Sequence, residues 1–267
     1  MRLTIRAALA WLLALLLCAA QPAAAAIGFT SLGTITATSG GSVSSVITTS
    51  ADCPVGATAL AVLAVNNNNT GQQPSSVTDN AATPNTYTQG SSYAATGGQR
   101  FTPYYSIITT DLPASGQITG TWAGNSNSHW MVAACITGLL TSGVVDLDPA
   151  TGTTGSWLGS TLEFTTATTN AASEAICAIQ YIITGGSDSF TEDAAWTTIN
   201  HATVSANVLR LACRSVSSLG TYTYTPTLWG TARTVGANYI SFKASAAILK
   251  TPASVLIMMF SQSSDPF

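Results

Sequence analysis

Ser76-Val77-Thr78-Asp79-Asn80-Ala81-Ala82-Thr83-Pro84-Asn85-Thr86-Tyr87-Thr88-Gln89-Gly90 is the stretch whose reading decides the fold class. Val77 and Tyr87 sit in two short β-prone runs, and the Asp-Asn-Ala-Ala-Thr-Pro-Asn segment between them is rich in residues that favour tight turns. Pro84 fixes one φ and removes a backbone donor, so the tip can continue neither a strand nor a helix. The stretch therefore predicts a β-hairpin, and the chain on either side reads as strands laid around it.

Upstream, residues 27–49 alternate Gly, Ser and Thr with scattered Ile, Leu and Val, the pattern of half-buried edge strands. Asp52-Cys53-Pro54 interrupts them. Residues 57–65 are continuously apolar between Gly56 and an Asn tract, which predicts a central strand covered on both faces. Downstream, residues 101–109, 117–122 and 130–137 read as strands, separated by the Leu112-Pro113-Ala114-Ser115-Gly116 turn and a polar tip at residues 125–128. The second half repeats that logic. Residues 160–166 alternate, and residues 174–184 form the strongest strand, with Ala175, Cys177, Ile179, Tyr181 and Ile183 on one face. Leu209, Leu211 and Cys213 alternate with Arg210, Ala212 and Arg214, which predicts one solvated face, and residues 239–243 close the core. Strands at this spacing, with turn chemistry between them and no amphipathic helix, predict an all-β fold: an antiparallel two-sheet sandwich, jelly-roll in preference to immunoglobulin-like.

The chain has 267 residues. Its first 26 read as a secretory signal: Arg2 and Arg6 give a basic start, residues 7–20 an apolar run, and Ala24-Ala25-Ala26 a cleavage site. Residues 27–243 then form the β-sandwich domain. Residues 244–267 form an apolar tail broken by Pro252, expected to pair with a sheet edge of its own chain or of a neighbour. The run is too short to span a bilayer, so no stable membrane insertion is expected once the signal is removed.

Charged residues are 7% of the chain, against about 25% in an average globular domain. Ser, Thr, Asn, Gln and Gly must cover the surface instead. Of eight Lys plus Arg, Arg2 and Arg6 lie in the leader, leaving six against eleven acids and a net charge of −5. Such a surface does not attract a phosphate backbone, and nucleic-acid binding is excluded as a leading function. Cys53, Cys135, Cys177 and Cys213 follow the leader, an even number in an exported chain, and are spaced too widely for a zinc knuckle. Two disulfides are expected. Spacing leaves three connectivities open, of which Cys53 with Cys135 and Cys177 with Cys213 is preferred.

The motifs Ser76-Val77-Thr78-Asp79-Asn80, Asn85-Thr86-Tyr87-Thr88, Tyr104-Tyr105, Gly116-Gln117-Ile118-Thr119-Gly120-Thr121-Trp122, Ile136-Thr137-Gly138-Leu139, Val145-Asp146 and Tyr239-Ile240-Ser241-Phe242-Lys243 resemble a secreted bacterial β-sandwich module that recurs in surface, adhesin-like and phage-associated proteins. The resemblance covers residues 56–243 and implies a jelly-roll or immunoglobulin-like sandwich without enzymatic activity. The four cysteines and the apolar tail depart from that pattern.

Catalytic chemistry needs positioned, tuned groups, and here they are sparse. His129 sits at a strand start and His201 in a loop-like context, and the chain has no Gly-x-Ser-x-Gly elbow. Carboxylate pairs for glycoside cleavage would have to come from Glu163, Glu174, Glu192 and the aspartates, and Glu192-Asp193 reads as a solvated turn. Calcium could draw oxygens from Asp79, Asn80 and Asn85, or from Asp146 and Asp148, although turn chemistry explains the same residues. No cofactor is expected. A sugar-binding face would use aromatic platforms beside amides, which singles out Trp157, Trp196, Asn125 and Asn127. The reading that results is a secreted or cell-surface, non-enzymatic structural or adhesive module, self-associating by edge-strand pairing through its tail. A carbohydrate-binding module for surface glycans is the alternative, and a hydrolase a distant third.

Overall fold

In the computed structural model, the residues described are 26–38, 43–66, 73–94, 99–124, 128–149, 153–157, 163–183, 189–204, 207–229 and 233–245. Ala26–Ser245 form one compact unit, and residues 1–25 and 246–267, which hold most of the expected signal and tail, lie outside the described residues. All regular structure within it is β. The first half contributes β1 (Gly28–Thr38), β2 (Ser44–Thr48), β3 (Thr58–Val65), β4 (Pro74–Asp79), β5 (Thr88–Gln89), β6 (Tyr93–Ala94), β7 (Arg100–Ile107), β8 (Gln117–Trp122) and β9 (Ser128–Thr137). The second contributes β10 (Thr153–Trp157), β11 (Phe164–Thr165), β12 (Glu174–Ile183), β13 (Ser189–Thr191), β14 (Thr197–Val204), β15 (Asn207–Val216), β16 (Thr223–Tyr224), β17 (Thr227–Trp229) and β18 (Arg233–Lys243).

Every pairing is antiparallel. The first half builds a large sheet in the order β1-β9-β3-β7-β5, with β6 also on β7, and a small one in the order β2-β8-β4. The second half builds a large sheet in the order β10-β18-β12-β15-β14 and two small pairs, β11-β16 and β13-β17. In each half the first strand pairs with the last, the last with the third, and the third with a later one. The expected antiparallel sandwich is present, and it is doubled.

The core clusters show how the layers are filled. Ile47, Val77, Ile118 and Trp122 of the first small sheet pack with Ala59, Ala61, Leu63 and Val65 of β3 and with Met131, Ala133 and Cys135 of β9. The opposite faces of the same two strands, from Leu60 to Ala64 and from Trp130 to Ile136, pack with Ala175, Cys177, Ile179 and Tyr181 of β12, Leu209, Leu211 and Cys213 of β15, and Ile240 and Phe242 of β18. On the far side, Ile176, Ala178, Ala212, Ala237 and Tyr239 meet Phe164 and Tyr224 of the β11-β16 pair. Because side chains alternate across a strand, β3 is buried at every position, as its unbroken apolar run predicts. Each of its two leucines, Leu60 and Leu63, is fully buried and contributes about 1.5–3 kcal/mol relative to exposure.

Glycine is needed where the layers approach most closely. A Cβ at Gly120 of β8 would lie 2.8 Å from Met131 Sδ and 2.9 Å from Leu63 Cδ2. Gly33 has φ +128° at a bulge in β1, a conformation L side chains rarely adopt, and Ile47 closes over it.

Two expectations are corrected. Residues 76–90 do not form a hairpin: β4 pairs with β8 in the small sheet, whereas β5 pairs with β7 in the large one, so the stretch crosses between layers. The turn residues are there, but local propensity does not reveal which strand a run will pair with. The Arg210, Ala212, Arg214 face of β15 is not solvated either, since Arg210 and Ala212 are buried under the aromatic cluster of the second half. The disulfides pair as preferred. Cys53 joins Cys135 with Cα atoms 5.5 Å apart, and Cys177 joins Cys213, directly opposite in register, at 4.1 Å.

Candidate functional site

The polar side chains that the sequence singles out fall at places where the chain changes layers. Leaving β4, the backbone turns away from one sheet before it joins another, so its N–H groups need side-chain acceptors. Asp79 Oδ1 accepts from the backbone N–H groups of Ala81 at 3.2 Å and Asn85 at 3.1 Å. Asn85 Nδ2 donates to Asp79 Oδ2 at 2.9 Å and to the Thr110 carbonyl at 3.0 Å, while its Oδ1 accepts from the N–H groups of Thr109 at 2.8 Å and Thr110 at 3.0 Å. Asn80 Oδ1 accepts the Gln117 N–H at 2.7 Å. Burial, with the Asp79 charge beside it, raises the Tyr87 hydroxyl far above its ordinary value. Asp79, Asn80 and Asn85, three of the calcium candidates, thus staple a crossing loop to the turn after β7 and to the start of β8. Among the described residues, no three His, Cys, Asp or Glu side chains gather to hold a metal.

The equivalent turn of the second half carries charge. Glu192 forms an ion pair with Arg210 of β15 at 2.6 Å, and Thr198 of β14 donates to the same carboxylate while accepting from Arg210. Asp193 Oδ2 accepts from the Thr225 N–H at 3.2 Å and hydroxyl at 2.9 Å. Glu192-Asp193 is therefore a partly buried staple rather than the solvated turn expected.

His129 and Ser45 come together under the outer sheet of the first half. Ser45 Oγ lies 2.6 Å from His129 Nε2, and the Trp122 ring lies against the imidazole with centroids 4.1 Å apart. Burial holds the imidazole below its ordinary pKa, and the tautomer of the ring sets which of Ser45 Oγ and His129 Nε2 donates in their hydrogen bond. The pairing has the parts of a nucleophile and its base. Both residues are buried, however, and the chemistry this arrangement supports is the joining of β2 to β9. Sequence reasoning found His129 and missed Ser45, whose inward position follows from the alternation of β2. His201 is exposed on β14 opposite Arg210 in register.

One pair of carboxyls has altered acidity. Glu174, fully buried at the start of β12, accepts the Ala171 N–H at 3.0 Å, and its carboxyl is pushed up to about 7 by burial and by its contact with Asp146. Burial acts on Asp146 in the same direction, but hydrogen bonds from Asn170 and Glu174 and the nearby Lys243 bring it below its usual value. Asp148 binds the Ser91 N–H at 2.8 Å, and burial raises it. Glu163 is exposed. A pocket of about 240 Å³ lies between two matched turns, Asp52-Cys53-Pro54 and Asp111-Leu112-Pro113. Asp52 accepts the Ala114 N–H at 2.6 Å and Asp111 the Val55 N–H at 2.7 Å, so the two carboxylates cap each other's turns.

Of the four residues assigned to sugar binding, one is described in full. Trp196 is 4% exposed, its Nε1 donates to the Thr223 carbonyl at 3.2 Å, and its ring is enclosed by Phe164, Tyr224 and the Arg214 guanidinium. It sits in a loop, at the end of the Asp193 turn before β14, but its ring is buried in the core and offers no exposed platform. Trp157 ends β10 opposite Arg233, but its side chain lies outside the described residues, as do Asn125 and Asn127. No protein-family model matches the chain, and no curated protein matches it.

Proposed function

We propose that the chain is an exported, non-enzymatic structural or adhesive module in which each half is a jelly roll. The observation that carries this reading is the doubled sandwich itself: β3 and β12 are sealed between layers, and the polar side chains best placed for chemistry are engaged in holding layers together. Such a body is rigid, and what it can offer a partner is its surface, poor in charge. The pairing of first, last, third and later strands supports the jelly-roll over the immunoglobulin-like alternative. Two disulfides suit a compartment that oxidises thiols, which supports export. Among the described residues no helix is long and apolar enough to cross a membrane.

The module self-associates through the apolar tail, residues 254–267, by edge-strand pairing. Size-exclusion chromatography with light scattering over a range of concentrations tests this: mass rises with concentration in the full chain and stays monomeric once the tail is deleted. A full chain that remains monomeric at high concentration contradicts it. Surface-glycan binding keeps one foothold, Trp157 at the end of edge strand β10. Glycan-array binding that is lost in Trp157→Ala would favour it over assembly.

A further inference from the structure

We infer that the face between the two large sheets is a homotypic docking surface, and that the partner it fits is a second copy of the same module, here fused into one chain. This stands apart from the tail-mediated assembly above, since it is argued from residues 28–243 alone.

The first support is connectivity. β1, β3, β7 and β9 occupy the places that β10, β12, β15 and β18 occupy in the other half, and β2, β4 and β8 correspond to β11, β13 and the broken strand β16 with β17. The second support is sequence at matched places. Ser76-Val77-Thr78-Asp79-Asn80-Ala81-Ala82 leaves β4, and Ser189-Phe190-Thr191-Glu192-Asp193-Ala194-Ala195 runs through β13, with Ser, Thr, Ala and Ala identical and acid or amide at the same two positions. The side chains make matched bonds. Asp79 reaches Asn85 and Glu192 reaches Thr198, each six residues on, and each partner continues to the next strand of the large sheet or its end, at Thr109 and Arg210 respectively. Asn80 and Asp193 each bind a backbone N–H of the corresponding outer strand, at Gln117 and at Thr225.

The third support is the way the faces meet. A self-complementary interface relates its contacts by a twofold axis, so each contact has a mate with the roles exchanged. Asn200 of β14 donates to the Ala133 carbonyl of β9 at 2.8 Å, and β6 lies against β18 in the mate position. β9 touches β15, and its mate is the edge contact of Tyr105 on β7 with Phe242 on β18, centroids 6.0 Å apart. At one border Asn200 also reaches the Gly33 carbonyl of β1, and at the opposite border Ser91, between β5 and β6, is bound by Asp148, just before β10. At the first border β1 itself meets β14, and at the second the segment ahead of β10 makes the contact through Asp148, so the twofold relation there is approximate. Both disulfides lie within a half, so the linker between β9 and β10 joins the halves covalently.

The test cuts that linker in the folded full chain. A protease site replacing the exposed residues Thr141, Ser142 and Gly143 is cleaved after folding. Light and isotopically heavy nicked proteins are mixed in urea below the unfolding transition, returned to buffer and examined by native mass spectrometry. Pairs of two first halves or two second halves are expected beside the parental pair. Should the parental pair not exchange, the same experiment with Asn200→Ala, which removes the Gly33 and Ala133 bonds, speeds separation at least tenfold. Parental pairs alone, in both proteins, would overturn the inference.

Discussion

The two halves share a strand order but hold their layers together with different polar chemistry. In the first, the crossing turn is stapled by an amide: Asn85 binds Asp79 on one side and the backbone of Thr109 and Thr110 on the other. In the second, the same place holds an ion pair between Glu192 and the buried guanidinium of Arg210. The disulfides differ too. Cys53–Cys135 closes a span of 82 residues from a turn to the centre of a sheet, and Cys177–Cys213 a span of 36 between neighbouring strands. The requirement imposed by the fold is that buried N–H groups and side chains find partners, and it leaves open which residues provide them.

The largest effect should come from the cross-links. By loop-closure entropy, replacing Cys53 and Cys135 with alanine costs about 4.5 kcal/mol, and replacing Cys177 and Cys213 costs about 4 kcal/mol. Urea titration of the two double variants would measure both, and the comparison fails if the shorter link matters far more than the longer. Next come the staples. Arg210→Met leaves Glu192 unpaired against the core and should cost about 3 kcal/mol. Asn85→Ala strips neutral acceptors and donors and should cost about 2 kcal/mol. Thermal melts of the pair sharpen the contrast between charged and neutral solutions, and a smaller loss for Arg210→Met than for Asn85→Ala would reverse it.

The smallest effect depends on pH. Glu174 has a folded pKa of about 7 against an ordinary 4.5, so between these values the folded chain holds a proton that the unfolded chain has released. Stability therefore falls as pH rises from about 4.5 to 7 and changes little above, so far as this group is concerned. Glu174→Gln should flatten that slope and raise stability at pH 8 by on the order of 1 kcal/mol. A slope that survives the substitution would show that another group is responsible.

The contrast also explains what could be read from the sequence. Residues 57–65 announce a buried strand because an unbroken apolar run has few other uses, and residues 174–184 announce a strand by the face formed from Ala175, Cys177, Ile179, Tyr181 and Ile183; they are found as β3 and β12. Of the three connectivities the spacing allows, the preferred one, with Cys177 and Cys213 both mid-strand on apolar faces, is the one found. What was hidden is pairing at a distance: residues 76–90 have the composition of a hairpin tip yet connect two sheets, because a turn's local chemistry is the same whichever strand receives the chain. The burial of Arg210 and Trp196 was hidden for the same reason. Alternation marks Arg210 as outward-facing from one sheet, and only the β11-β16 layer, contributed by two distant segments, covers that face.

Amide hydrogen exchange followed residue by residue tests the doubled sandwich most directly. β3 and β12, each sealed on both faces, should be the slowest to exchange and should do so at similar rates, well behind β5, β6 and β10 at the sheet borders. Rapid exchange throughout β3 or β12, at the rate of those border strands, would contradict the account.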